Sequence, residues 1–64
     1  MELKEARMAA KYTQQEVADH LGISRPTYIS MEKNPDRVTI QDANRLAQMF
    51  GVSVDKIFFA TNSN

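Results

Sequence analysis

Four hydroxyl residues, Thr13, Ser24, Thr39 and Ser53, each stand just before a segment whose apolar residues recur at helical spacing, and the only two glycines, Gly22 and Gly51, each follow one. A hydroxyl at such a position accepts an otherwise orphaned backbone N–H, and a glycine takes the left-handed conformation that ends a helix. Thr13-Gln14-Gln15-Glu16 has the form of a capping box, and Thr39-Ile40-Gln41-Asp42 is a weaker version with the shorter acid. Pro26 lies in the first turn after Ser24, where a missing N–H costs nothing, and Pro35 lies in a stretch that cannot continue a helix. This punctuation predicts five helices, roughly over 2–11, 14–21, 25–33, 40–50 and 54–59. Val52-Ser53-Val54 alternates, but three residues between a glycine and a cap are too few for a strand. The fold class is therefore all-α.

The chain has 64 residues, no cysteine and one histidine, which excludes disulfide staples and the usual zinc ligand sets. A domain this small has to rely on close helix packing, a partner chain, or both. Each helix offers an apolar face: Leu3, Ala6 and Ala10; Val17, Ala18 and Leu21; Tyr28 and Met31; Ile40, Ala43, Leu46, Ala47 and Phe50. Val52, Val54, Ile57 and Phe58 are expected to close the bundle, and Ala18 lets two helices cross closely. One domain over 1–60 and a polar tail over 61–64 are expected. No run approaches the roughly 20 apolar residues that span a bilayer. Met1-Glu2-Leu3-Lys4-Glu5 lacks the pattern of a secretory signal, so no membrane role and a cytoplasmic location are expected.

Catalysis has little to work with. His20 is the only imidazole, the carboxylates do not converge, and no two glycines lie close enough for a phosphate loop. Neither an enzyme, a metal site nor a cofactor is expected. The segment 14–33 is more specific: Ala18, Gly22 and Tyr28, with Val17, Leu21, Ile23 and Met31 as shared core, have the spacing of a DNA-binding helix-turn-helix. Thr13-Gln14-Gln15-Glu16-Val17-Ala18, Leu21-Gly22-Ile23-Ser24-Arg25-Pro26-Thr27, Glu32, Leu46-Ala47 and Phe50-Gly51-Val52-Ser53 resemble the phage repressor and Cro family, also called the XRE family. The likeness covers about residues 3–59 and implies a five-helix lambda-repressor-like DNA-binding domain with its helix-turn-helix at the second and third helices.

That resemblance implies roles for particular residues. Arg7 and Glu32 match a partly buried structural ion pair, and Gln14 matches the glutamine that meets the DNA backbone at the start of the second helix. The base-facing positions fall on Arg25, Pro26, Thr27 and Ser30, and Lys33, Asn34 and Arg37 fall in the turn that follows the phosphates. Arg25 has the clearest chemistry, since a guanidinium can bond O6 and N7 of guanine together. Pro26 has only an apolar edge to offer, and Thr27 and Ser30 can bond either base or phosphate. Three positions depart from the family pattern: Tyr28 for Ile or Val, Ile29 for Ser, and Asn34 for Gly. Tyr28 is expected to fill the core and send its hydroxyl outward, and Asn34 to accept a left-handed turn. Ile29 can meet a thymine methyl, cover Pro26 or face a protein.

One recognition helix reads only a few base pairs, so a homodimer on a two-part operator is expected, with Val54, Phe58 and Phe59 as its interface and Met49 as a further candidate. The expected function is sequence-specific binding of double-stranded operator DNA by a transcriptional regulator of the repressor type. The alternative is an antitoxin or antirepressor of the same fold that holds a protein partner, a toxin or another repressor, through Met8, Ile29, Met49 and Phe59. Eight basic against eight acidic residues give zero net charge, so any DNA-facing positive patch has to be local.

Overall fold

The computed structural model describes residues 2–58 and consists of helices and turns: α1 (Leu3–Ala9), α2 (Gln14–Leu21), α3 (Arg25–Lys33), a 3₁₀ turn (Pro35–Arg37), α4 (Ile40–Phe50) and α5 (Val54–Phe58). Among the described residues there is no strand, and no helix is long and apolar enough to cross a membrane. The hydroxyl caps at Thr13, Ser24 and Thr39 form as the spacing predicts. Thr13 Oγ1 accepts the Glu16 N–H at 3.0 Å while Glu16 Oε1 accepts the Thr13 N–H at 2.8 Å, and Thr39 Oγ1 accepts the Asp42 N–H at 3.1 Å without the return bond. Aspartate is one methylene too short to complete that box.

Leu3, Ala6, Val17, Ala18, Leu21, Tyr28, Leu46, Phe50 and Ile57 form the buried core, so every α-helix contributes to it. Tyr12 and Phe50 meet with ring centroids 6.1 Å apart, tying the α1–α2 turn to α4. Ala18, on α2, is fully buried in that core. Five expectations need correction. The first helix ends at Ala9 and does not reach residue 11. Ile40 is 72% exposed: it is the first residue of α4, its side chain leans back past the helix start, and nothing overlies that turn. Met49 and Ile29 are half-buried and not free apolar surface. Tyr28 is fully enclosed, hydroxyl included. Asn34 has φ −133° and is not left-handed, because Pro35 forces the residue before it toward an extended conformation. The expected end of the fifth helix at Phe59 and the polar tail lie outside the described residues.

The three turns that end α1, α2 and α4 share one construction. After α2, the Ile23 N–H donates to the Ala18 carbonyl and the Gly22 N–H to that of Asp19; after α4, Val52 and Gly51 repeat this with Ala47 and Gln48. After α1, Tyr12 donates to Arg7 and Lys11 to Met8 in the same pattern. The left-handed residue is glycine in two of the turns (φ +72° and +73°) and Lys11 in the third (φ +67°). A residue with a Cβ is strained there by roughly 1–2 kcal/mol. Lys11→Gly should therefore stabilise the protein by about 0.5–1 kcal/mol, the relief being partly offset by the greater freedom of glycine in the unfolded chain. Thermal unfolding should shift up by a few degrees. Gly51→Ala should cost about 1 kcal/mol in the same assay, and from backbone strain alone, since nothing lies within 4 Å of the added Cβ.

Candidate nucleic-acid interface

The turn between α2 and α3 is only three residues long, and each has a task. Gly22 reverses the chain, Ile23 packs against the core, and Ser24 caps α3 through a 3.3 Å bond from the Thr27 N–H to its Oγ. The Ser24 and Thr27 hydroxyls also lie 2.9 Å apart. Pro26 follows in the first turn, where no intrahelical donor is needed. Tyr28 anchors the helix in the core, and Met31 and Glu32 turn partly inward. What remains exposed on α3 is Arg25, Pro26, Thr27, Ser30 and Lys33. Pro26, Ser30 and Lys33 recur at i, i+4 and i+7 and form one stripe, with Thr27 flanking it.

The orientation of that stripe depends on a carboxylate. Glu32 Oε2 accepts from Arg7 Nε at 2.6 Å, and its other oxygen accepts from Gln14 Nε2 at 3.0 Å. Arg7 Nη1 also donates to the Tyr12 carbonyl at 2.8 Å. The two side chains of the ion pair are only 10% and 6% exposed. One network thus joins α1, the turn after it, the first residue of α2 and the end of α3. Burial by itself raises the Glu32 pKa, but the Arg7 guanidinium and the Gln14 amide outweigh it and hold the carboxyl below its ordinary value. The Tyr28 hydroxyl is near enough to add to that lowering, yet no atom among the described residues stands in hydrogen-bonding geometry with it. Burial first, and the neighbouring Glu32 carboxylate second, push the Tyr28 phenol well above its usual pKa.

The expected site residues fall into three groups. Arg25 and Gln14 share an open hollow at the start of α2 with Thr13, Gln15 and Met8. Lys33 and Gln14 share a second cleft with Lys4, Glu2, Glu32 and the half-buried Ile29. Asn34 and Arg37 are exposed in the turn after α3, where Asn34 donates its N–H to the Ser30 carbonyl at 2.9 Å. Gln14 is half-buried and one of its amide donors is committed to Glu32. Lys4 is a cation that the sequence pattern did not single out: Arg7, one turn on, points inward to Glu32, and only the tertiary fold sets Lys4 beside Lys33. Thr13, Gln15 and Met8 carried no signal either, because they meet Arg25 only through the tertiary fold, Thr13 and Gln15 from the start of α2 and Met8 from α1. Val54 and Phe58 are both half-buried on α5, and Phe59 lies outside the described residues.

Against this geometry stand the comparisons with known proteins. The profile of the helix-turn-helix family matches residues 3–57. An HTH-type transcriptional regulator of Methanocaldococcus jannaschii is 38% identical over 56 residues, which span 88% of this chain and 85% of that protein. An HTH-type transcriptional regulator of Archaeoglobus fulgidus is 30% identical over 56 residues, 88% of this chain and 79% of that protein. The cryptic phage CTXphi transcriptional repressor RstR of Vibrio cholerae is 24% identical over 62 residues, 97% of this chain but 56% of the repressor. No solved structure matches the chain at a significant level.

The ion pair yields a stability prediction with a definite sign. Because the folded pKa of Glu32 is depressed, its contribution is complete above the ordinary carboxylate value of 4.5 and is lost as pH falls through the lower folded value. Denaturant unfolding followed between pH 7 and pH 2 should show this acid limb, and Glu32→Gln should flatten it. Arg7→Ala, which strands a nearly buried carboxylate, should cost about 3 kcal/mol at pH 7. Replacing both partners, as in Arg7→Met with Glu32→Leu, should recover more than half of that loss.

Proposed function

This chain belongs to the helix-turn-helix family of DNA-binding transcriptional regulators, and from that premise we propose that it is a homodimeric repressor reading a two-part operator through the major groove with α3. The observation that carries this reading is the exposed stripe of α3, held in place from behind by the network around Glu32 and free of bulky obstruction in front. Arg25 supplies bidentate donors for guanine at the start of the helix, and Ser30 supplies a hydroxyl one turn later. Pro26 and Thr27 lie between them. Gln14, Lys33, Asn34 and Arg37 serve the phosphates on either side, with Lys4 added to that set because it lines the same cleft as Lys33.

Repression fits a relative that is itself named as a repressor. Dimerisation is favoured by the size of the reading head: one short helix contacts three or four base pairs, and useful specificity needs a second half-site about one helical turn away. Val54 and Phe58, half-buried on the terminal helix, are the residues on which we place the interface together with Phe59.

Gel-shift titrations separate these roles. Arg25→Ala should cost about 1–3 kcal/mol on the preferred duplex and relax selectivity at one position of each half-site. Lys33→Ala should weaken all sequences alike and reduce the slope of log K against log salt by about one. Identical behaviour of the two variants would refute the division between base and phosphate contacts. Sedimentation equilibrium should give a dimer at micromolar concentration, and Val54→Glu should shift it to monomer while the helical circular dichroism persists; a wild-type monomer on a single half-site would refute the dimer.

A further inference from the structure

Polar and apolar chemistry is divided unevenly along the exposed part of α3. Arg25 and Ser30 bring hydrogen-bonding groups, but the two residues between them that share the exposed surface bring almost none. Pro26 has no N–H and a saturated ring, and it is exposed. Thr27 is exposed as well, but its Oγ1 lies 2.9 Å from Ser24 Oγ, the same oxygen that accepts the Thr27 N–H. The hydroxyl is turned back to the helix cap, which fixes the side-chain rotamer and leaves the γ-methyl as the end available to a partner. Ile29, the other apolar residue nearby, is half-buried in the cleft beside Lys4 and Glu32 and does not extend this surface. An apolar step two residues long therefore sits between two hydrogen-bonding positions.

Among the four bases, only thymine presents a methyl group in the major groove. We propose that Pro26 and the γ-methyl of Thr27 form a specificity-determining apolar step that recognises thymine C5-methyl groups beside the base pair met by Arg25, with Ser24 as the positioning residue that keeps the Thr27 hydroxyl out of the groove. This inference rests on α3 being the element that enters the major groove. It assigns the chemical character of the adjoining bases, which that reading leaves open. A cytosine amino group placed against this step would lose its water without gaining an acceptor, so the step also disfavours C at the same positions.

The test uses the full 64-residue chain and a duplex selected by it from a random-sequence library. Each thymine of the selected site is replaced in turn by deoxyuridine, which removes the methyl group and leaves the hydrogen-bonding edge unchanged. Affinity should fall about three- to fivefold, the worth of one buried methyl, at one or two adjacent positions in each half-site and stay within experimental error elsewhere. Thr27→Ser, which keeps the hydroxyl pair and removes only the methyl, should bind the unmodified site about three- to fivefold more weakly and no longer distinguish thymine from uracil at one of those positions. A selected site indifferent to every uracil replacement would overturn the inference and leave DNA binding intact. Uracil sensitivity that Thr27→Ser does not alter would overturn the role of Thr27. Failure to select or retain any duplex would overturn the DNA-binding reading along with it.

Discussion

The contact between Arg7 and Glu32 organises the molecule more than any hydrophobic pair does. A leucine in the core can be displaced by an ångström and still be buried; a carboxylate that accepts from Arg7 at 2.6 Å and from Gln14 at 3.0 Å cannot. Through these bonds the end of α3 is fixed relative to α1 and to the first residue of α2, which are the elements around the proposed DNA-facing surface. Buried ion pairs add little net stability, because desolvation consumes most of their attraction. Their yield here is geometric. The stripe on α3 has one direction relative to Gln14 and Lys4, and a site whose contacts come from different helices needs that.

The same region shows a conflict between packing and polarity. Tyr28 fills the space beneath α3 with a ring, and its hydroxyl is enclosed without a hydrogen bond among the described residues. Burying an unpaired hydroxyl costs about 1–3 kcal/mol, a large fraction of what a domain of this size has to spare. The large ring offsets part of that cost through the apolar area it buries, in a core cluster it shares with the small side chains of Ala6 and Ala18. Small residues at the helix crossings and one large residue at the centre are two halves of the same packing solution.

The features legible in the sequence are those with a local cause. Caps at Thr13, Ser24 and Thr39 and stops at Gly22 and Gly51 depend on a residue and its immediate neighbours, and the boundaries of α2, α3 and α4 follow from them. The end of α1 was not legible, because Lys11 takes a left-handed conformation for which nothing in its side chain argues. Ile40 failed for a related reason: a periodic pattern records angle around the helix axis and not whether anything lies over the helix end. Asn34 tolerates a left-handed turn by its own chemistry, but the proline after it draws it toward an extended conformation. The Arg7–Glu32 pair, 25 positions apart, came from family resemblance, and no spacing rule would have found it.

Net charge finally acquires a different meaning. Arg7 and Glu32 cancel one another inside the protein, and the remaining charges still balance, so the long-range field that draws a basic protein to any DNA is weak here. In the proposed complex Lys4, Arg25, Lys33 and Arg37 would act instead as near-field groups, each useful only within about a Debye length of 8–10 Å of a phosphate or base. Under that constraint the ratio of specific to nonspecific binding rises, because the nonspecific mode depends almost wholly on phosphate neutralisation while the specific mode adds groove contacts that salt does not screen. A surface with few phosphate cations therefore places more of its discrimination on α3, where rigidity of the supporting network matters most.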